Sequence, residues 1–246
     1  MFRQPAVFLR FPELAAAEST RHGGVSPAPY ASLNLGKHTD DAPENIAENR
    51  RRFCAALGFQ PAQMAWSKQV HGDQVRLVTG PGGAEGFDAL VTDRPGLLLA
   101  VSMADCTPIL IYDPRNRVAA AVHSGWPGTA ARLVEKTLAR MAAAFGTRGA
   151  DCFAYIGTCI DECSFEVGGE VAEKFDAGFK RFDAERGKFL VDLKKANAAQ
   201  LLAFGIPEDH LEISPLSTVL NNADYFSHRK EKGTTGRMLA VIGVRN

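Results

Sequence analysis

The chain has 246 residues, which at about 150 residues per domain makes one large domain or two small ones. Lys and Arg number 28, as do Asp and Glu, so the formal net charge is zero and no whole-molecule field exists to collect nucleic acid or an anionic membrane. With 46% hydrophobic and 23% charged residues the composition is that of a globular protein, which excludes a disordered or fibrous chain. Residues 1–11 are apolar but broken by Arg3, Pro5 and Arg10, with no small-residue cleavage site behind them, so no signal peptide is expected. No window reaches the roughly 18–20 apolar residues of a bilayer span. The nearest, 96–103, suits a buried strand, and the expectation is a cytoplasmic protein. Five cysteines, an odd number, fit reduced thiols better than a disulfide framework.

Gly and Pro clusters at 27–29 and 80–86 are loop-sized rather than linker-sized, so residues 1–246 are expected to form one domain. The first predicted helix has Asp40 or Asp41 as cap, Pro43 in its first turn, Ile46, Arg50, Phe53 and Leu57 at helical spacing, and Gly58 as its stop. Short apolar runs follow at 74–78, 89–92, 97–102, 108–112 and 118–123, each bounded by turn residues, and these predict strands. Asp113-Pro-Arg-Asn116 joins two of them as a hairpin, so part of the sheet must be antiparallel. After His123 a helix is expected from about Gly128, with Ala130, Leu133, Val134, Leu138, Met141 and Phe145 on its apolar face and Gly146 at its end. A strand at 153–156 precedes two further predicted helices, one through Val171, Phe175 and Phe179, the other capped by Asp192 and running through Leu201 to Gly205. The last strand is 238–244. Runs of strands with grouped helices predict an α+β fold, a mixed α/β sandwich with a largely antiparallel or mixed sheet.

Imidazole and thiolate are the bases, nucleophiles and soft metal ligands available near neutral pH, which narrows the search to six histidines and five cysteines. His71 sits beside Gly72 after a strand-like 67–70, Cys106 lies between two strands next to Asp105, and His123 ends a strand just before a helix N-terminus. Two His and one Cys can hold a zinc ion and leave its fourth position open, the catalytic arrangement. Separations of 35 residues (71 to 106) and 17 residues (106 to 123) make no local motif, and a small buried Cys106 with two backbone-bonded histidines accounts for the same residues equally well. Cys152, Cys159 and Cys163 lack a matching second pair for a further metal site, Cys54 reads as packing in the first helix, and His210 reads as a solvated turn. Arg21, Arg229 and Arg237, each near glycine or serine, are the cations suited to clamp phosphate or carboxylate.

Thr20-Arg-His-Gly-Gly-Val-Ser26, Ser32-Leu-Asn-Leu-Gly-Lys-His38, Gln69-Val-His-Gly72, Asp88-Ala-Leu-Val-Thr92, Ala104-Asp-Cys106, Val122-His-Ser-Gly-Trp126, Ile156-Gly-Thr-Cys-Ile160 and Phe165-Glu-Val-Gly168 together resemble one family. It is the YfiH-type laccase-domain (polyphenol oxidase) family, which includes purine nucleoside phosphorylases and a peptidoglycan editing factor. The resemblance implies a fold distantly like the catalytic domain of cytotoxic necrotizing factor. It implies a metal, usually zinc with copper also accepted, held by His71, Cys106 and His123 as the catalytic centre. It further implies phosphorolysis of adenosine, inosine and S-methyl-5′-thioadenosine to the free base and a ribose 1-phosphate, with adenosine deamination beside it. Phosphate would fall to Arg21, Arg229, Arg237 and the helix after His123.

Three positions depart from the family pattern. Pro127 stands where an arginine follows the tryptophan, Thr158 where a proline precedes the cysteine, and Ser217-Thr218 where a Cys-Thr pair is usual. The first removes a cation beside His123 that Arg132 or Arg21 would have to replace. Rival readings are a peptidoglycan-precursor editing hydrolase, a metal-free Cys/His hydrolase with Cys106 as nucleophile, and an interaction protein stapled by zinc, as monomer or homodimer. Copper-dependent polyphenol oxidation is the minor rival, because a trinuclear cluster plus a blue-copper site would consume more imidazoles than six histidines supply.

Overall fold

Thr-Pro-Ile-Leu-Ile-Tyr-Asp at 107–113 and Val-Ala-Ala-Ala-Val-His-Ser at 118–124 are buried at every position, so these strands must be covered on both faces. The computed structural model, which describes residues 1–246, shows how this is achieved. In chain order the strands are β1 (Phe2–Arg3), β2 (Leu14–Ser19), β3 (Met64–Lys68), β4 (Val75–Leu77), β5 (Gly82–Glu85), β6 (Ala89–Thr92), β7 (Leu98–Met103) and β8 (Thr107–Asp113). They continue with β9 (Val118–Ser124), β10 (Phe153–Ile156), β11 (Glu166–Val167), β12 (Lys180–Asp183), β13 (Lys188–Val191), β14 (Leu211–Ile213) and β15 (Met238–Val244). The helices are α1 (Pro43–Ala56), α2 (Trp126–Ala130), α3 (Leu133–Phe145), α4 (Gly169–Ala172) and α5 (Leu193–Ala203).

One six-stranded sheet has the order β1-β2-β15-β7-β3-β5 and the other β14-β10-β8-β9-β6-β4, each mixing parallel and antiparallel pairs. Their facing sides share one core, which takes Ala16, Leu99, Val101 and Ile242 from the first sheet and Leu90, Leu110, Tyr112 and Ala121 from the second. The period-2 alternation of each strand sends the intervening residues outward. Ala15, Ala17, Leu98 and Val241 pack under Phe53 and Cys54 of α1, while Ile109, Ile111 and Val122 pack under Leu133, Leu138 and Met141 of α3 and Leu201 of α5. The architecture is thus a mixed α/β sandwich of four layers, helix, sheet, sheet, helix.

The 113–116 hairpin forms as expected: Asp113 Oδ1 accepts hydrogen bonds from the backbone N–H of Arg115 and Asn116 at 3.0 and 3.1 Å, and β8 pairs antiparallel with β9. Other expectations need correction. No helix runs through Val171, Phe175 and Phe179; α4 stops at Ala172, a 3-10 turn covers Ala177–Phe179, and the chain enters a small third sheet, β11-β13-β12. The 80–86 loop contains β5, and β2 was not anticipated. The helix after His123 is two helices, broken where Arg132 takes a left-handed φ of 59°. Neither Asp40 nor Asp41 caps α1, whose N-cap is Ala42; the buried Asp41 carboxylate accepts from Ser26 Oγ, Asn34 Nδ2, Asn45 Nδ2 and Ala42 N. His210 is no freely solvated turn, because its half-buried ring stacks 3.8 Å from Phe153.

Candidate functional site

Two of the connections between the sheets converge at one end of the sandwich. Residues 69–74 cross from β3 to β4 and carry His71, and residues 104–106 cross from β7 to β8 and carry Cys106; His123 lies at the end of β9 alongside. The potential ligand atoms of these three residues all lie within 4.8 Å of one another, and the His71 and His123 rings meet edge to face at 5.0 Å. The expected triad therefore does assemble. Cys106 and His123 meet within one sheet, through the β8–β9 hairpin register that pairs Thr107 with Ser124 and Pro108 with His123, and His71 joins them through Asp88, which precedes β6 of the same sheet.

Both crossing turns are conformationally costly. His71 and Asp105 have φ of 58° and 90°, the left-handed region where a non-glycine residue costs of order 1–3 kcal/mol, and each is held by specific contacts. The Asp88 carboxylate, fully buried, accepts from the backbone N–H of Val70, His71 and Gly72 at 3.1, 3.1 and 2.9 Å, which fixes the His71 turn. Its Oδ1 also accepts from His123 Nδ1 at 2.8 Å, so the proton sits on Nδ1 and Nε2 is the atom left to bind a metal. Gln69 pins the same crossing to β7, accepting from Ser102 N at 2.7 Å and donating to Ser102 O at 2.8 Å. Asp105 is held by Thr218 Oγ1 at 2.5 Å and by the backbone N–H of Arg229 at 2.6 Å. Thr218 belongs to the Ser-Thr pair that departs from the family pattern, and its hydroxyl supplies the contact.

The electrostatics suit a metal. Burial raises the Cys106 thiol, but the neighbouring charge and hydrogen bonds of His123 and His71 outweigh it and bring the thiol from 9.0 to about 6. Burial lowers His123, yet the Cys106 thiolate and Asp88 lift it from 6.5 to about 9. A divalent cation would displace that proton and take the imidazolium's place beside the thiolate. The backbone is cut to fit: a Cβ on Gly125 would stand 2.9 Å from Cys106 Sγ and 3.3 Å from His71 Cδ2. A nitrogen–sulfur–nitrogen donor set this close together suits zinc or copper.

The triad opens into a cavity of about 420 Å³, the size range of small-molecule sites. Trp126, Ile160, Phe165 and Leu193 form an apolar wall, and Lys37, His38, His228, Arg229 and Arg237 a basic one. Asp105 is its one carboxylate. Of the three expected arginines, Arg237 fits best: half-buried on the cavity wall, it bonds only to the carbonyls of Thr235 and Gly236 and pairs with no carboxylate. A Cβ on Gly36 would lie 2.7 Å from Arg237 Cγ, so glycine there makes its room. Arg229 is at the exposed rim and already donates to the carbonyls of Ser164 and Glu166. Arg21 does not reach the cavity; it pairs with Glu231, donates to the carbonyls of Ala31 and Asn222, and lies over Phe226. Arg132 pairs with Glu135 on the surface, so neither replaces a cation at position 127. The helix after His123 is only α2, whose first turn holds Pro127 without an N–H. Residue types alone did not single out Asp88, Gln69, Lys37, His38 or His228, although all but His228 lie in segments that carry the family resemblance.

A family model described as multi-copper polyphenol oxidoreductase laccase matches residues 15–245. The chain belongs to this laccase-like family. Its relatives in the family include a purine nucleoside phosphorylase of Deinococcus radiodurans, 45% identical over 240 residues, covering 96% of this chain and 92% of that protein. Purine nucleoside phosphorylase YfiH of Escherichia coli is 38% identical, covering 93% of each. The crystal structure of YlmD from Geobacillus stearothermophilus superposes with a TM-score of 0.93 at 34% identity, covering 100% of this chain and 99% of that one. The laccase-like fold is therefore shared from end to end, and no helix in it is long and apolar enough to cross a membrane.

Proposed function

We propose that this laccase-like chain is a purine nucleoside phosphorylase that takes adenosine, inosine or S-methyl-5′-thioadenosine with phosphate and releases the free base and a ribose 1-phosphate. The observation that carries the reading is Arg237, a half-buried cation that bonds no carboxylate, in one cavity with the His71–Cys106–His123 cluster. Burial disfavours its charge, the acidic groups nearby offset this only from a distance, and a phosphate dianion would make direct charged hydrogen bonds to it. Relatives bearing the phosphorylase name support it.

In this reading Arg237 holds phosphate near C1′ of the ribose, with Lys37 adding charge from the same wall. Phe165, Ile160 and Trp126 exclude water from the glycosidic bond and give the purine an apolar face to rest on. His38 and His228, free of the ligand set, are positioned to donate a proton to the departing base. His71, Cys106 and His123 would hold zinc, which would supply Lewis acidity when bound. Such acidity would suit adenosine deamination as a second activity at the same centre, with Asp105 as the only carboxylate lining the cavity. Only two imidazoles join the cluster, so the multi-copper chemistry of the family's name has too few ligands here.

The test is chromatographic. Base release from the three nucleosides is followed with and without phosphate for wild type and Cys106→Ala, separating adenine, hypoxanthine and inosine. Phosphate-dependent release by wild type alone is expected. If zinc-supplied wild type releases no base, phosphorolysis is wrong; if activity survives a chelator, Cys106 acts as a nucleophile without metal.

A further inference from the structure

Alternation along β2 sends Leu14 and Ala16 into the space between the sheets, and Glu18 follows them on the same face, with none of its surface exposed. A carboxyl buried among apolar residues is expensive, and burial raises its pKa. It reaches out of its own sheet to the segment that leaves β10 in the other: Glu18 Oε2 accepts from Thr158 N at 2.7 Å and from Tyr155 Oη at 3.2 Å. Gly157 has no space for a side chain, since a Cβ there would sit 2.4 Å from Glu18 Oε2 and 2.7 Å from Pro108 Cγ. The carboxyl and the segment are therefore packed against each other at contact distance.

The segment that Glu18 holds brackets Cys106 on both sides. Gly157 N donates to Pro108 O at 2.8 Å, two residues after the cysteine, and Ile160 N donates to Asp105 O at 2.9 Å, one residue before it. Thr218 N donates to Cys159 O at 3.0 Å while its hydroxyl bonds Asp105 Oδ1, so the same segment also anchors the residue that stabilises the left-handed turn. Ile160 itself lines the cavity.

We infer that Glu18 is a positioning residue for the metal centre: through the Thr158 N–H it fixes residues 157–160, and through them the turn that presents the Cys106 thiolate. The inference rests on reading His71, Cys106 and His123 as metal ligands. Threonine at 158, where the family resemblance leads to proline, is what supplies the N–H, because proline has none. The carbonyl oxygen of glutamine can accept that hydrogen bond, a shorter aspartate is drawn away from it, and leucine of similar size cannot accept it at all.

The experiment compares wild type, Glu18→Gln, Glu18→Asp and Glu18→Leu in a Cys163→Ser background, which removes the exposed thiol and leaves Cys54, Cys152 and Cys159 buried. Two readouts are taken beside circular dichroism: Co²⁺ binding followed by thiolate-to-cobalt absorbance, and the reaction rate of Cys106 with a thiol reagent in metal-free protein. Cobalt affinity should fall by about tenfold in the folded Leu variant, the low end of the loss when a group that hydrogen-bonds a metal ligand is removed, because Glu18 acts one step further back; the fall should be smaller in Asp, and Gln should stay close to wild type. The thiol rate should shift in the same order. If Leu fails to fold, Asp decides. Wild-type cobalt spectra and thiol rates in every folded variant overturn the inference. A wild-type protein without a thiolate-to-cobalt band that Cys106→Ser abolishes overturns the metal reading instead, and the thiol rates then still report on Glu18.

Discussion

Replacing Asp88 by asparagine keeps the shape of the side chain and removes one of its two acceptor oxygens. In the native site Oδ1 serves His71 N and His123 Nδ1, while Oδ2 serves Val70 N and Gly72 N. Whichever way the amide turns, two donors face an NH₂ group. If the NH₂ faces His123, the ring must carry its proton on Nε2, the atom that a metal needs. Hydrogen bonds to a charged acceptor are worth about 1.5–3 kcal/mol each, so losing two sets a ceiling of about 3–6 kcal/mol on the damage to the metal-free fold. At the lower end that is a fall of about 6–12 °C in melting temperature for a chain of this size. The metal should suffer as well, with zinc affinity lower by about 10–100-fold, equivalent to about 1.4–2.7 kcal/mol. Competition against a chromophoric chelator measures the affinity and calorimetry of the metal-free protein measures the melt. Zinc binding within about threefold of wild type would refute the role given to Asp88 in fixing His123 and the His71 turn.

Gly125→Ala forces a methyl group to within 2.9 Å of Cys106 Sγ; it should leave the far-ultraviolet circular dichroism intact and abolish stoichiometric zinc binding, and full occupancy by elemental analysis would contradict this. Arg237→Ala should raise KM for phosphate by about tenfold or more while changing KM for nucleoside little, since a charged hydrogen bond of about 1.5–3 kcal/mol is lost from one substrate only. Equal rises in both constants would place Arg237 elsewhere in the reaction. In metal-free protein the Cys106 thiol, held at about 6 against 9.0, contributes stability that is full above pH 9 and lost as pH falls through 6. His123, held at about 9 against 6.5, contributes stability that is full below 6.5 and lost as pH rises through 9. The thiolate–imidazolium pair therefore spans about pH 6 to 9, and the difference in thiolate absorbance between wild type and Cys106→Ser should titrate near the lower value; a midpoint near 9 would deny the pairing.

The strands that the sequence announces most clearly are those covered on both faces. Their residues must be apolar without interruption, and β8, β9 and β15 read accordingly. β2 does not: Leu-Ala-Ala-Ala-Glu-Ser suits a helix by local preference, and it is a strand because β1 and β15 pair with it on either side. β5, Gly-Gly-Ala-Glu, has scarcely any side chain to signal with; Gly83 is there because the Trp66 ring occupies the place of its Cβ. Val171, Phe175 and Phe179 mimic a helical stripe although they belong to three separate pieces of chain sharing one small core. The triad was legible as residue types and through resemblance to a family; the 113–116 hairpin also sets Cys106 beside His123, through the pairing of Thr107 with Ser124, but no spacing brings His71 to them. Arg21 was chosen on its glycine-flanked setting, the same signal that found Arg237; the two cases differ because Arg237 lines the cavity while Arg21 lies outside it, paired with Glu231.

The His71 and Cys106 turns each connect a strand of one sheet to a strand of the other, and both are costly to hold in isolation. The β8–β9 hairpin alone can set Cys106 beside His123, but the third side chain arrives only when the 69–74 crossing settles against Asp88. The three-residue cluster is therefore a property of the assembled sandwich, unlike a zinc finger, whose ligands lie close along the chain.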